Sequence, residues 1–276
     1  MWALSALRRG RTLVRTFTSA YPKPYTVPEG NWGTNRAARL ELAASFRGLD
    51  KLGLNEGVCN HLSVMVPRAD GQGETMLVGH YGLHWQEVTA SNLLEVDWTG
   101  QTVQGEGKAD VTAACIHLGI RHIRPDAKVI MHTHQPYATA LACMKDPRLL
   151  MVHQNSLRFY QNVAYDTSYT GFALALEEGK RLGRVLGEKN ILFMGNHGVV
   201  SVAKTISMAF DNLYYLERAA MMQVLAAGME KEVALIPDSE CGPMLDAISD
   251  MLQEYADAHF YSNYRILRKS QPEFEL

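Results

Sequence analysis

The chain has 276 residues, 47% apolar and 20% charged, with a formal charge of −2 at pH 7. This is the composition of an ordinary globular protein with a core of useful size, and length alone allows one or two domains. The near-neutral balance provides no basic surface for nucleic acid, and no apolar run reaches the roughly 20 residues of a membrane helix, so neither a nucleic-acid partner nor a membrane span is expected.

In chain order, the first segment is unlike the rest. MWALSALRRGRTLVRTFTSA carries Arg8, Arg9, Arg11 and Arg15 with several Ser and Thr, and the first acid is Glu29. On a helix, Trp2, Leu4, Leu7 and Val14 form a broad apolar side. That is the pattern of a mitochondrial presequence, with a processing point placed approximately after Phe17 and a matrix location. A solvated basic tail is the alternative reading. Removal of residues 1–17 takes away four arginines and moves the formal charge from −2 to −6.

Residues 18–34 follow as a Pro-rich extended connector, because Pro22, Pro24 and Pro28 remove backbone donors and fix φ. Residues 35–52 read as a helix: Asn35 caps it, Ala38, Leu42, Phe46 and Leu49 share a face, and Gly53 closes it. HLSVMVP and ETMLVG are β-like, as is VTASNLLEVD before a Thr-Gly turn at 99–100. Residues 111–122 look helical, AKVIMHTH over 127–134 reads as a strand, and Pro136 starts another helix at its favoured first position. NILFMGNHGVVSVA over 190–203 is two short strands broken at Gly195-Asn196. Thr205 opens a long helix ended by Gly228, and a last helical stretch runs from about Met244 to Tyr264. With no repeat, low-complexity block or internal linker, one α/β domain over 35–235 is expected, with 236–276 as a helical extension. Cys59, Cys115, Cys143 and Cys241 form no CxxC pair and read as thiols of a reducing compartment.

The histidines carry the functional signal. Side chains alternate along a strand, so His132 and His134 point the same way while Met131 and Thr133 point the other. Two neutral imidazoles on one face can chelate an ion. On its own, His-x-His more often marks hydrogen-bonded histidines at a strand end. His197 shifts that balance: it sits in Gly-Asn-His-Gly after the apolar run ILFM, where glycines let the backbone approach a site closely. Three histidines with an open position make a catalytic type of metal site.

The runs IRPDAKVIMHTHQPYATALA and ILFMGNHGVVSVAKTISMAFDNLYYLERAA closely resemble the class II aldolase/adducin family, and NHLSVMVP and HYGLHWQEVTASNLLEVD match its earlier blocks. The resemblance spans roughly residues 35–235. It implies a three-layer α/β/α sandwich around a mostly antiparallel sheet, commonly a homotetramer with sites near subunit interfaces. It also implies zinc or another divalent ion (Mn2+, Fe2+ or Co2+) on His132, His134 and His197. In family aldolases the metal polarises a substrate carbonyl and stabilises an enediolate. The family's acid/base glutamate falls at Ala113, its interface tyrosine near Gln154, and its Ser-rich phosphate contacts on Gly107–Thr112.

Other residues are candidates for the vacant roles. Asp110, one helical turn before Ala113, is the candidate acid/base; as Asp before VTAACIHLGI it is equally a helix N-cap. Glu106 is a weaker candidate. His61 occupies the place of a substrate-contacting asparagine, and Tyr160 and His153 lie in a segment expected near a neighbouring subunit's site. His80 and His84 read as surface residues, and His117, His122 and His259 show no partner pattern. Glu217 falls on the apolar stripe of the long helix, where an Arg or a ligating histidine would be its expected partner. Function then divides between a metal-dependent lyase-type enzyme, acting on a small hydroxycarbonyl or hydroxy/oxo acid by aldol cleavage, epimerisation or decarboxylation, and a catalytically silent adducin-type assembly module. A purely structural role for the histidines is the third reading.

Overall fold

The computed structural model describes residues 35–229 and 231–276, so the expected presequence over 1–17 and the whole connector over 18–34 lie outside the described residues. Among the described residues, eight strands form one sheet in the order β4-β3-β2-β1-β5-β8-β7-β6. These are β1 (His61–Pro67), β2 (Glu74–Val78), β3 (Leu94–Val96), β4 (Thr102–Gln104), β5 (Val129–Thr133), β6 (Val163–Asp166), β7 (Ile191–Met194) and β8 (Gly198–Ala203). Every neighbouring pair is antiparallel except β6 and β7. The fold is a mixed α/β architecture with a mostly antiparallel sheet.

Helices cover both faces. On one lie α1 (Arg36–Lys51), α3 (Pro136–Ala142), α5 (Ile206–Ala227) and α7 (Leu252–Ser270); Phe46, Phe210, Leu213, Phe260 and Tyr264 pack there with Leu62, Val64, Met131 and Phe193 of the sheet. On the other lie α2 (Val111–Ile123) and α4 (Leu176–Leu186), where Ile116, Ile120, Leu182 and Leu186 meet Ile130, Leu192, Val200 and Val202. The alternation of these strand residues between two clusters is the period of two that makes both faces apolar. Each such buried side chain contributes about 1.5–3 kcal/mol. The α2–α4 crossing depends on small residues: a Cβ on Gly119 would come within 2.5 Å of the Gly179 backbone.

Local expectations hold unevenly. α1 has the expected face and ends before Gly53 at φ +70°. Asn35, however, makes no side-chain cap; its Nδ2 donates to Pro67 O at 2.9 Å and Glu95 Oε1 at 3.0 Å, tying the helix start to the sheet. Thr205 does cap α5, accepting from Met208 N at 3.2 Å. The strand expected in VTASNLLEVD is confined to Leu94–Val96. β4, β6 and α4 were not expected at all; the buried side of α4 is a thin stripe in which Gly179 and Gly183 stand beside Leu182 and Leu186. The last stretch is two helices, α6 (Asp238–Ile248) and α7. Phe260, Tyr264, Leu267 and Phe274 enter the main core, so this C-terminal stretch shares the core of the rest. No helix of the described residues is long and apolar enough to cross a membrane.

Antiparallel pairing brings the start of β1, the end of β5 and the start of β8 to one end of the sheet. His61 lies directly opposite His132, and His132 opposite Val200.

Candidate metal centre

Two elements deliver the three histidines. β5 ends at Thr133, so His132 is its penultimate residue and His134 lies one step past its end. His197 comes from the β7–β8 turn, which closes through His197 N donating to Met194 O at 3.1 Å. Asn196 adopts φ +56°, a left-handed conformation that asparagine tolerates. Gly198 is needed for a different reason: a Cβ there would lie 2.6 Å from Thr133 O and 2.7 Å from the His134 ring. Only a residue without a side chain lets β8 begin against His134.

One ligand atom from each of His132, His134 and His197 lies within 4.8 Å of the others. Each of the two β5-end rings is fixed through Nδ1. His132 Nδ1–H donates to Val199 O at 3.0 Å, and His134 Nδ1–H to Glu56 Oε2 at 2.6 Å. These bonds leave Nε2 of both rings as lone-pair nitrogens, and the two stand 3.1 Å apart. Two lone pairs facing each other at that separation repel unless a cation or proton lies between them. Burial pushes His132 well below the ordinary histidine range. His197 is lowered to about 4, first by burial and then by the nearby His134. Neutral imidazoles with anchored Nδ1 atoms are the donor set a divalent ion requires, with Val199 O and Glu56 as the outer partners that orient the rings. The residues present fit such an ion.

A second pair of histidines lies behind them. His61 is buried, its ring 4.9 Å from that of His132. Its Nδ1 is 2.8 Å from His117 Nε2, and His117 Nδ1 is 2.6 Å from Ser63 Oγ. His61 Nε2 reaches Thr112 Oγ1 at 3.4 Å. Burial lowers His61 to about 3 and His117 well below its ordinary value, so both are neutral near pH 7.

A small pocket of about 20 Å3, room for about one water, adjoins this group, lined in part by Asn60, His61, His80, Asp110 and Ala113. Asp110 caps α2: its Oδ1 accepts from Thr112 N at 2.6 Å, Thr112 Oγ1 at 2.5 Å and Ala113 N at 3.4 Å. Among the described residues all its hydrogen bonds fall on Oδ1, so capping and a place in the pocket coexist. Asn60 adopts φ +81°; its Oδ1 accepts from His134 N at 3.2 Å, while its buried Nδ2 has no partner among the described residues.

Other candidates fall elsewhere. Tyr160 follows a 3-10 turn (Gln154–Phe159) and hydrogen-bonds Asp238 O at 3.5 Å and Gln161 Nε2 at 3.2 Å, with no contact to the triad among the described residues. His153 pairs with Ser156. His80 is not a plain surface residue, since it lines the pocket, and His84 caps a short turn. His122 donates to Leu118 O at 2.7 Å. His259 meets buried Asp211 at 2.8 Å. Among the described residues Glu217 pairs neither with an Arg nor with a ligating histidine. Its carboxylate accepts from Tyr137 N at 2.8 Å and Ala138 N at 3.0 Å, capping α3 just after the His-x-His segment. A buried carboxylate is stabilised by those first-turn amides.

Glu56, Asn60 and the His61–His117–Ser63 group were not found as a set by sequence reasoning. Their partners are 54–78 residues away and carry no local spacing signal. For His61 and Ser63 the period-two face they share with Met65 on β1 was the one available hint.

The family model for the class II aldolase and adducin N-terminal domain matches residues 40–224. The chain belongs to the class II aldolase/adducin family. Members of this family of aldolases use a divalent metal, typically zinc. A class 2 aldolase-type protein of Caulobacter vibrioides is 33% identical over 77% of this chain and 80% of its own length. Alpha-adducin of Rattus norvegicus is 33% identical over 72% of this chain but 27% of the adducin, so this family chain matches one part of that longer protein. An aldolase II superfamily structure from Pseudomonas syringae superposes with a TM-score of 0.77 at 28% identity, covering 88% of this chain and 96% of that one. Reactions named among similar proteins differ. A decarboxylase of Streptomyces niveus is 26% identical over 69% of this chain and 71% of its own. An L-fuculose 1-phosphate aldolase of Glaciozyma antarctica, 22% identical with TM-score 0.75 over 91% and 96% of the two chains, shares the fold.

Proposed function

We propose that the protein is a divalent-metal-dependent enzyme of the lyase type, acting on a small hydroxycarbonyl or hydroxy/oxo acid. The observation that carries this reading is the facing of two anchored Nε2 atoms at 3.1 Å with His197 beside them. His132, His134 and His197 would hold the ion, with zinc favoured by an all-imidazole set over manganese, iron or cobalt. When bound, such an ion supplies Lewis acidity to a substrate carbonyl or hydroxyl oxygen.

The chain's own groups do the remaining work. Glu56 holds His134 in one tautomer and orientation. The Asn60 Nδ2, buried and without a partner, donates to a substrate oxygen. Asp110, its Oδ1 held by the start of α2, moves the proton through Oδ2 and thus occupies the role for which Ala113 has no side chain. His61 borders the same space as a substrate contact. Tyr160, remote from the triad within one chain, would contribute across an interface in a homotetramer. Residues 1–17 would direct the protein to the mitochondrial matrix, leaving 35–235 as the family domain.

Asp110→Asn keeps the helix cap and removes the base. Across a panel of hydroxycarbonyl compounds and hydroxy acids, turnover should fall by about 10²–10⁴ while metal content is kept; full activity in this variant would remove Asp110 from the mechanism. The second reading, a silent assembly module, is favoured by Ala113 and by the likeness to alpha-adducin. It requires that no such compound raise the melting temperature beyond metal alone, and a clear shift for one compound class would sink it.

A further inference from the structure

A second cavity lies apart from the triad. At about 150 Å3 it has several times the room of the pocket beside His61, and none of the three candidate ligands lines it. A cavity of that volume holds a molecule about the size of benzene. Tyr214, Glu217, Arg218 and Met221 recur at helical spacing and share one face of α5, which forms one wall. Pro136 at the start of α3 and Leu54 just past α1 stand in the others. The lining is mostly apolar, and its two charges are opposite in sign.

Those two charges are not matched to each other. Glu217 is 7% exposed, and its oxygens accept from Tyr137 N and Ala138 N, one bond each. Each oxygen keeps a further acceptor site. The two amides do not fully replace water, since burial still holds the carboxyl above its ordinary range. A buried carboxylate in that state gains from a cation that brings N–H donors. Arg218 does not supply it. Its guanidinium folds back over α5, 5.3 Å from the centre of the Tyr214 ring and 3.7 Å from Met221 Sδ, and makes no ion pair among the described residues. Its fork of donors is open to a carboxylate.

We infer that this cavity binds a small α-amino acid with an apolar side chain, the ammonium on Glu217 and the carboxylate on Arg218. A phosphate or a simple carboxylic acid would bring negative charge against Glu217, and a simple amine would leave Arg218 unmatched. One molecule carrying both charges satisfies both. Its side chain lies against Leu54, Pro136 and Met221, and the volume limits it to a short or branched aliphatic group. The inference stands on the cavity alone, whatever the triad holds.

The test is calorimetric titration of the full chain with L-valine, isobutylamine and isovalerate. The three share a carbon skeleton and carry both charges, the positive one and the negative one respectively. Valine should bind at least about tenfold more tightly than either of the others. Arg218→Gln, at an exposed position of α5, should remove the advantage over isobutylamine. Met221→Trp fills the cavity and should abolish valine binding. Leu52→Trp, at a lining position already 38% exposed, makes the same block if the first tryptophan variant does not fold. No binding of valine, or binding no tighter than that of isobutylamine or isovalerate, would overturn the inference. So would an advantage kept in Arg218→Gln, or valine binding kept in the folded tryptophan variant.

Discussion

Two groups of histidines stand side by side at one end of the sheet, and they differ in where their nitrogens go. In the His61–His117 group, ring nitrogens are consumed on each other and on Ser63. In the triad, the Nδ1 atoms of His132 and His134 are tied to outer partners, which leaves two Nε2 atoms facing one another. Burial is not what separates them, since His117 and His132 are both shielded from solvent. The lesson is that a histidine cluster becomes a ligand set when its outer nitrogens are anchored and its inner ones are left without a donor.

That contrast can be broken experimentally. The largest expected effect outside the triad is His117→Leu. It strands Ser63 Oγ and His61 Nδ1 in the interior, at about 1–3 kcal/mol for each buried group left unpaired. Urea denaturation should therefore show a clear loss of stability, while bound metal per chain stays as in the wild type. Loss of metal in this variant would mean that the two groups act as one. A smaller effect is expected from Glu56→Gln, which keeps the side chain's length but removes the carboxylate charge that accepts the His134 Nδ1–H. Zinc affinity should weaken by about 10–100-fold, read by competition with a chelator; an unchanged affinity would make Glu56 a bystander in this site.

The same contrast explains what could be read in the sequence. His132 and His134 share a face because β5 alternates, and His197 follows an apolar strand into a glycine-flanked turn; both signals are local. The strands HLSVMVP and ILFM were legible from equally local signals, the first as a short β-like run and the second as an uninterrupted apolar one. Glu56, His117 and the Glu217 cap of α3 were not, because each acquires its role from a partner brought close by sheet pairing or helix packing. Asp110 was legible as a cap, and its exposure to the pocket came from the position of α2 across the end of β1. β6 and α4 escaped notice because four residues make a weak strand signal and the buried side of α4 sets two glycines, Gly179 and Gly183, beside two leucines, Leu182 and Leu186.

The central claim is that the triad holds one divalent ion, and metal analysis tests it most directly. The full chain and its His132→Ala/His134→Ala variant should be purified without chelators, offered zinc, dialysed, and measured for metal per chain. The account predicts near one ion per chain in the wild type and near none in the variant, with both proteins folded. No metal in the wild type after zinc is offered, or an equal amount in the two, would contradict it.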